Sequence, residues 1–246
     1  MPSSAKAQKD NTTSLLTTFL NSYEAQSNGP VFFDCEIKDF CKIQEQVNKF
    51  MEQPDRAAFR QSSLEKDTVW RRRLQYLIGA HRNRFAYNFR DQVLRCLRID
   101  RKLLPWSDDD EQVDTGADTT KKKGKKRTQE EIQAEEEQKQ QQLRITAERR
   151  QTFKQVFNRA LDQYHWSVST LTLHVLDMMQ KTTEQHVAFA FVVMGQFQKG
   201  EQLERESSIK PAGQNTYLSY LLDVRSNRIP MDGSITLEEA LTKARS

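Results

Sequence analysis

Leu15, Leu16, Phe19, Leu20 and Tyr23 recur at the three- and four-residue intervals of a single helix face. Thr12 or Thr13 supplies an N-cap for this helix, and residues before it form a polar, disordered tail over 1–11. Asn28-Gly29-Pro30 stops it, because Gly accepts a left-handed cap and Pro cannot continue the hydrogen-bond ladder. The apolar patch Val31-Phe32-Phe33 leads into a second helix near 36–53, striped by Ile37, Phe40, Cys41, Val47, Phe50 and Met51 and closed by Pro54. A weaker third helix spans 55–66 around Ala57, Ala58, Phe59 and Leu64.

From 69 to 104 the pattern has two parts. Trp70, Leu74, Leu77, Ile78 and His81 form one stripe. Phe85, Ala86, Phe89, Val93, Cys96, Leu97, Leu103 and Leu104 form another at a different angle, so a bend or break is expected at Gly79 or Asn83. Arg84, Arg90, Arg95, Arg98, Arg101 and Lys102 fall opposite that second stripe, giving 84–104 two distinct faces. Pro105-Trp106 ends the unit.

Beyond residue 128 one long helix is expected to Tyr164. Its first half is almost wholly polar, and Ile132, Leu143 and Ile145 do not sustain the heptads of a coiled coil, which favours a protruding charged helix. Its second half carries Phe153, Val156, Phe157, Ala160, Leu161 and Tyr164 on one face. Ser167 or Ser169 caps a helix with Leu171, Leu173, Val175, Leu176, Met178 and Met179, and Thr182-Thr183-Glu184-Gln185 resembles a capping box opening the next. That next helix, through Val187, Phe189, Met194 and Phe197, is apolar nearly all round and should be the most buried. A polar loop over 201–215, a short apolar element over 217–224, a turn at Pro230 and Gly233, and a final helix capped by Thr236 complete the chain.

Composition agrees with this pattern. Only 8 Gly and 6 Pro among 246 residues leave too few turn residues for a sheet-rich protein. The expected fold class is all-α: a helical domain over 12–106, a disordered charged linker over 107–128, and a second helical domain over 129–246 that opens with the long polar helix. Residues 107–128 bury almost nothing apolar, so they cannot offset the entropy of ordering.

Charge changes the functional picture more than the fold. The net charge is only +4. Nine Arg and one Lys against Asp91 and Asp100 nevertheless give 69–104 a balance of +8, and 121–127 adds +6. The segment's cations are Arg71, Arg72, Arg73, Arg82, Arg84, Arg90, Arg95, Arg98, Arg101 and Lys102, interleaved with Trp70, Tyr76, Phe85, Tyr87 and Phe89. Guanidinium groups pair with phosphate and rings stack on bases, so this segment suits RNA or DNA. It equally suits an acidic protein partner, or no partner beyond solvent. Lys121, Lys122, Lys123, Lys125, Lys126 and Arg127 have the form of a nuclear localisation signal. Ser107, followed by Asp108, Asp109, Asp110 and Glu111, has the form of a site for an acid-directed kinase.

Catalytic and metal chemistry find little footing. Cys35, Cys41 and Cys96 show neither disulfide nor zinc spacing, and His81, His165, His174 and His186 lack an HExxH arrangement. His174, Asp177 and His186 would have to converge in one pocket to form a site. No phosphate-loop or nucleophile motif occurs. No apolar run approaches the roughly 20 residues needed to span a membrane. The expectation is a non-enzymatic adaptor subunit of a nuclear complex acting on nucleic acid, without cofactor or metal. Its C-terminal helices would meet other protein subunits. A cytoplasmic structural scaffold is the alternative.

Overall fold

A computed structural model describes residues 4–38, 67–106, 129–201, 211–231 and 233–246. The helix expected at 55–66 and most of that at 36–53 lie outside the described residues, as do Ser107 and the cluster at 121–127. The described residues are mostly helical and contain no strand, only an isolated bridge between Arg228 and Thr236. Their α-helices are α1 (Ser4–Gln26), α2 (Asp34–Lys38), α3 (Asp67–Cys96), α4 (Gln129–Gln163), α5 (Val168–Met178), α6 (Glu184–Gln198), α7 (Pro211–Arg225) and α8 (Leu237–Arg245). A 3-10 turn, η1 (Arg101–Leu103), follows α3. No described helix is long and apolar enough to cross a membrane.

Helix starts follow side-chain chemistry. Ser167 caps α5 through the Thr170 N–H at 3.0 Å. Thr236 and Glu239 form the full reciprocal box at the start of α8. At α6 the cap is Thr183, and its third helical residue is His186, so the box expected at 182–185 does not close. Two starts differ from expectation. α1 begins at Ser4, because the first residues contain no helix breaker after Pro2; Thr13 is helical and its hydroxyl accepts from Arg73 Nε at 2.9 Å instead of capping. α7 begins at Pro211, since Pro lacks only a donor that the first turn leaves unused.

Helix ends use left-handed residues that are mostly not Gly. Arg98, His165, Gln180 and Asn227 all have φ between 52° and 56°. After α3, Arg98 N–H donates to Arg95 and Ile99 N–H to Leu94, the paired bonds of a Schellman end. At Gly200, φ is 68° and the α4 backbone at Arg150 lies so close that a Cβ would meet its carbonyl at 3.3 Å. There the left-handed conformation favours Gly, and a side chain would also have to push the Arg150 backbone back by a few tenths of an ångström.

α3 runs unbroken through Gly79 and Asn83. The two apolar stripes are one, Leu74, Ile78, Phe85, Phe89 and Val93, interrupted at the four-residue step after Ile78 by Arg82, which is itself buried. A charged residue in a core position makes one stripe look like two. The predicted two-faced unit 84–104 also needs correction: α3 stops at Cys96, and Leu103, placed on the apolar face, is 40% exposed on η1.

α6 is the centre of the core, with Val187, Ala188, Phe189, Ala190, Phe191, Val192, Val193 and Met194 all buried. It packs on α7, α5 and α3, while α8 covers α5. Phe32 stacks on Phe189 at 4.5 Å, and Trp106 meets Phe153 and Phe197 at 6.5 and 6.2 Å. Side chains from before and after 107–128 therefore share one apolar cluster. A smaller cluster joins Leu16, Phe19, Leu20 and Tyr23 of α1 to Leu74 and Ile78 of α3. Each fully buried Phe removes enough apolar surface to favour folding by about 2–3 kcal/mol. The long polar helix behaves as its pattern requires: Leu143 and Ile145 of α4 are exposed, while Phe153 and Phe157 are fully buried.

Candidate binding surface of the arginine segment

The arginines of 69–104 divide into a buried and an exposed set. The side chain of Arg71 lies outside the described residues. Arg82 is 2% exposed; its Nη1 donates to the Phe32 carbonyl at 3.2 Å and its guanidinium lies 5.2 Å from the centre of the Phe33 ring. Burial pushes its pKa down to about 10, with the Asp34 carboxylate opposing that shift. Arg90, placed by its sequence position on the polar face, is buried with its guanidinium 5.3 Å over Trp106. Both guanidinium groups lie in the core and present little charge to a partner. Arg73 is half-buried between Thr13 and the Tyr76 ring.

Arg72, Arg84, Arg95, Arg98 and Lys102 are exposed. Arg95 pairs with Asp91 at 2.9 Å one turn earlier, and Arg98 lies 5.6 Å over the Tyr164 ring. Exposed pairs of this kind contribute about 0–1 kcal/mol and leave the charges available to another anion. Arg101 donates to the Tyr87 hydroxyl at 2.6 Å and sits 3.8 Å from Asp91.

Where η1 meets α4 there is a cleft of about 570 Å³. Arg101, Lys102, Leu103, Leu104 and Trp106 line it from one side and Ile145, Glu148, Arg149 and Thr152 from the other. Its α4 side was not legible in sequence, because nothing local marks Arg149 as a neighbour of Arg101.

A second polar cluster is structural. The carboxylate of Glu36 on α2 accepts from Phe32 N at 2.8 Å, Phe33 N at 3.0 Å and the Tyr217 hydroxyl at 2.5 Å. Burial raises the Glu36 pKa against the pull of those three donors. The Tyr217 phenol is raised as well, by burial and by the adjacent carboxylate, and remains a donor. Asp34 beside it accepts from Gln75 of α3 and Gln214 of α7. α2 is thereby tied to α3 and α7 together.

His174, Asp177 and His186 do not converge in one pocket. His174 Nδ1 lies 2.9 Å from the Ala244 carbonyl, Asp177 pairs with Arg245 at 3.0 Å, and His186 sits among Phe32 and Phe85 with Nδ1 2.7 Å from the Thr183 hydroxyl. No group of His, Cys, Asp and Glu among the described residues could hold a metal. Neither Cys35 nor Cys96 forms a disulfide among the described residues, and burial raises the Cys96 thiol pKa.

Burial, then Lys181 and His81, push the His186 pKa down to about 4. The unfolded chain therefore takes up this proton first, near the ordinary value of about 6.5. The stabilisation is complete above that value and is lost as pH falls towards 4. His186→Leu, close in volume, should flatten this limb of a thermal-melt pH profile by about 2 kcal/mol relative to wild type. Parallel profiles for the two proteins would refute the assignment.

Comparison with protein-family models, curated proteins and solved structures finds no match to this chain.

Proposed function

We propose that this protein is a non-enzymatic adaptor subunit of a nuclear multiprotein complex acting on nucleic acid, in transcription, chromatin or RNA processing. The observation that supports this reading is an exposed cationic set: Arg72, Arg84 and Arg95 on α3, whose other face is core, with Arg98 just past its end and Lys102 on η1. Such a surface attracts phosphate or an acidic protein and releases it as salt rises. Leu143 on α4 and Leu222 on α7, at 64% and 62% exposed, offer apolar contacts for other subunits on the C-terminal helices. In this reading 107–128 is a charged linker between two helical parts that share a core, and Ser107 is its phosphorylation site.

Arg72, Arg84, Arg95 and Arg98 replaced together by Gln should elute from heparin at markedly lower salt with an unchanged melting temperature. Elution at the wild-type position would remove the cationic face from the proposal. Replacing Lys121, Lys122, Lys123, Lys125, Lys126 and Arg127 by Ala should abolish nuclear accumulation of tagged protein in cells. A cytoplasmic pattern already present in the unaltered protein would favour the scaffold of a cytoplasmic assembly instead.

A further inference from the structure

We propose that the cleft between η1 and α4 docks an acidic protein segment that carries a bulky apolar anchor. This rests on the cationic reading above and narrows it to one partner chemistry and one place. The cleft combines two kinds of lining. Leu103 and Ile145, 40% and 42% exposed, stand beside buried Leu104 and half-buried Trp106 and make an apolar floor. Arg101, Lys102 and Arg149 form a cationic rim from both walls.

Among the described residues, neither Lys102 nor Arg149 has an ion-pair partner, whereas Arg101 is oriented by Tyr87 and Asp91. With Arg101 already paired to Asp91, the two cations Lys102 and Arg149 against the single carboxylate of Glu148 leave a net positive rim around apolar surface exposed to water. An incoming carboxylate offsets the first feature and an inserted Leu, Phe or Trp side chain offsets the second. A volume of about 570 Å³ accommodates a few side chains, which is the size of a peptide anchor rather than of a whole domain face.

A nucleic-acid strand fits the same lining less well. Stacking needs an open ring, but the Trp106 ring has Arg90 over it and packs against Phe153 and Phe197. The Glu148 carboxylate repels a continuous phosphate backbone, and Leu103 and Ile145 offer bases no hydrogen bond. An acidic peptide can instead place its carboxylates away from Glu148.

The test uses full-length protein and fluorescence anisotropy. The probes are a fluorescein-labelled synthetic peptide of Asp and Glu residues, with Trp and Leu one helical turn apart, and a labelled uridine oligonucleotide of matching charge. The peptide should bind saturably with roughly micromolar affinity, as small transient interfaces do. Lys102→Glu with Arg149→Glu should weaken it at least tenfold. Leu103→Ser with Ile145→Ser should weaken it by about tenfold and do so at high salt as well, where the rim contributes least. Glu148→Gln should tighten it two- to threefold, a gain that no loss of folding can imitate. Peptide affinity indifferent to the Leu103 and Ile145 pair overturns the proposal, as does tighter binding of the uridine oligonucleotide with the same dependence on Lys102 and Arg149. Heparin retention that depends on Arg72, Arg84, Arg95 and Arg98, without any peptide binding, sinks the cleft but spares the broader reading. Loss of both sinks both.

Discussion

Glu36→Ala is expected to destabilise the protein by roughly 3–5 kcal/mol, the range for removing one partner from a buried charged network. Three donors converge on this carboxylate: the Phe32 and Phe33 N–H groups and the Tyr217 hydroxyl. Alanine leaves all three without an acceptor in an environment that water does not reach easily. In a chain of this length a loss of that size lowers the melting temperature by about 10 °C. Glu36→Gln should cost less, since the amide keeps one acceptor oxygen but turns an NH₂ towards a donor. Tyr217→Phe removes a single hydrogen bond and should cost about 1–2 kcal/mol. Denaturant melts of the three variants give the order directly. A Glu36→Ala loss no larger than that of Tyr217→Phe would mean that the carboxylate does not tie α2 to α7.

How much of this was legible in the chain depends on distance along it. Local signals were sufficient for the start of α8, where Thr236 and Glu239 satisfy each other's donors within one turn. They were sufficient for α6, whose unbroken apolar run leaves no face for solvent. They were sufficient for α4, where the change from polar to amphipathic marks where the helix joins the core.

They failed wherever a residue's role is set by a remote partner. Glu36 and Tyr217 are 181 positions apart, and neither flank suggests the other. Arg82 and Arg90 read as surface residues because Arg on a helix is usually solvated, while their burial depends on the Phe32 carbonyl and on Trp106. The left-handed ends at Arg98, His165 and Gln180 carry no Gly to announce them, so helix ends were harder to place than helix starts. The cleft shows both limits at once. Its η1 wall belongs to the arginine segment that sequence singled out, and its α4 wall could come only from the fold.

The same distinction decides what Arg82 does. Arg82→Ala is expected to lower stability by roughly 3–4 kcal/mol, because it removes a buried charge from its partners and leaves a cavity that α3 cannot close. The Phe32 carbonyl loses its donor and the Phe33 ring loses the guanidinium above it. Arg82→Met restores most of the volume and isolates the polar part, so it should recover about half of the loss. Arg84→Ala, two residues away and exposed, should stay within about 0.5 kcal/mol of wild type. Heparin retention should behave in the opposite sense. Below its melting temperature Arg82→Ala should elute with wild type, since a guanidinium that is 2% exposed presents no charge to a polyanion. Earlier elution of folded Arg82→Ala, with a melting temperature close to wild type, would reverse the assignment and return Arg82 to the binding surface.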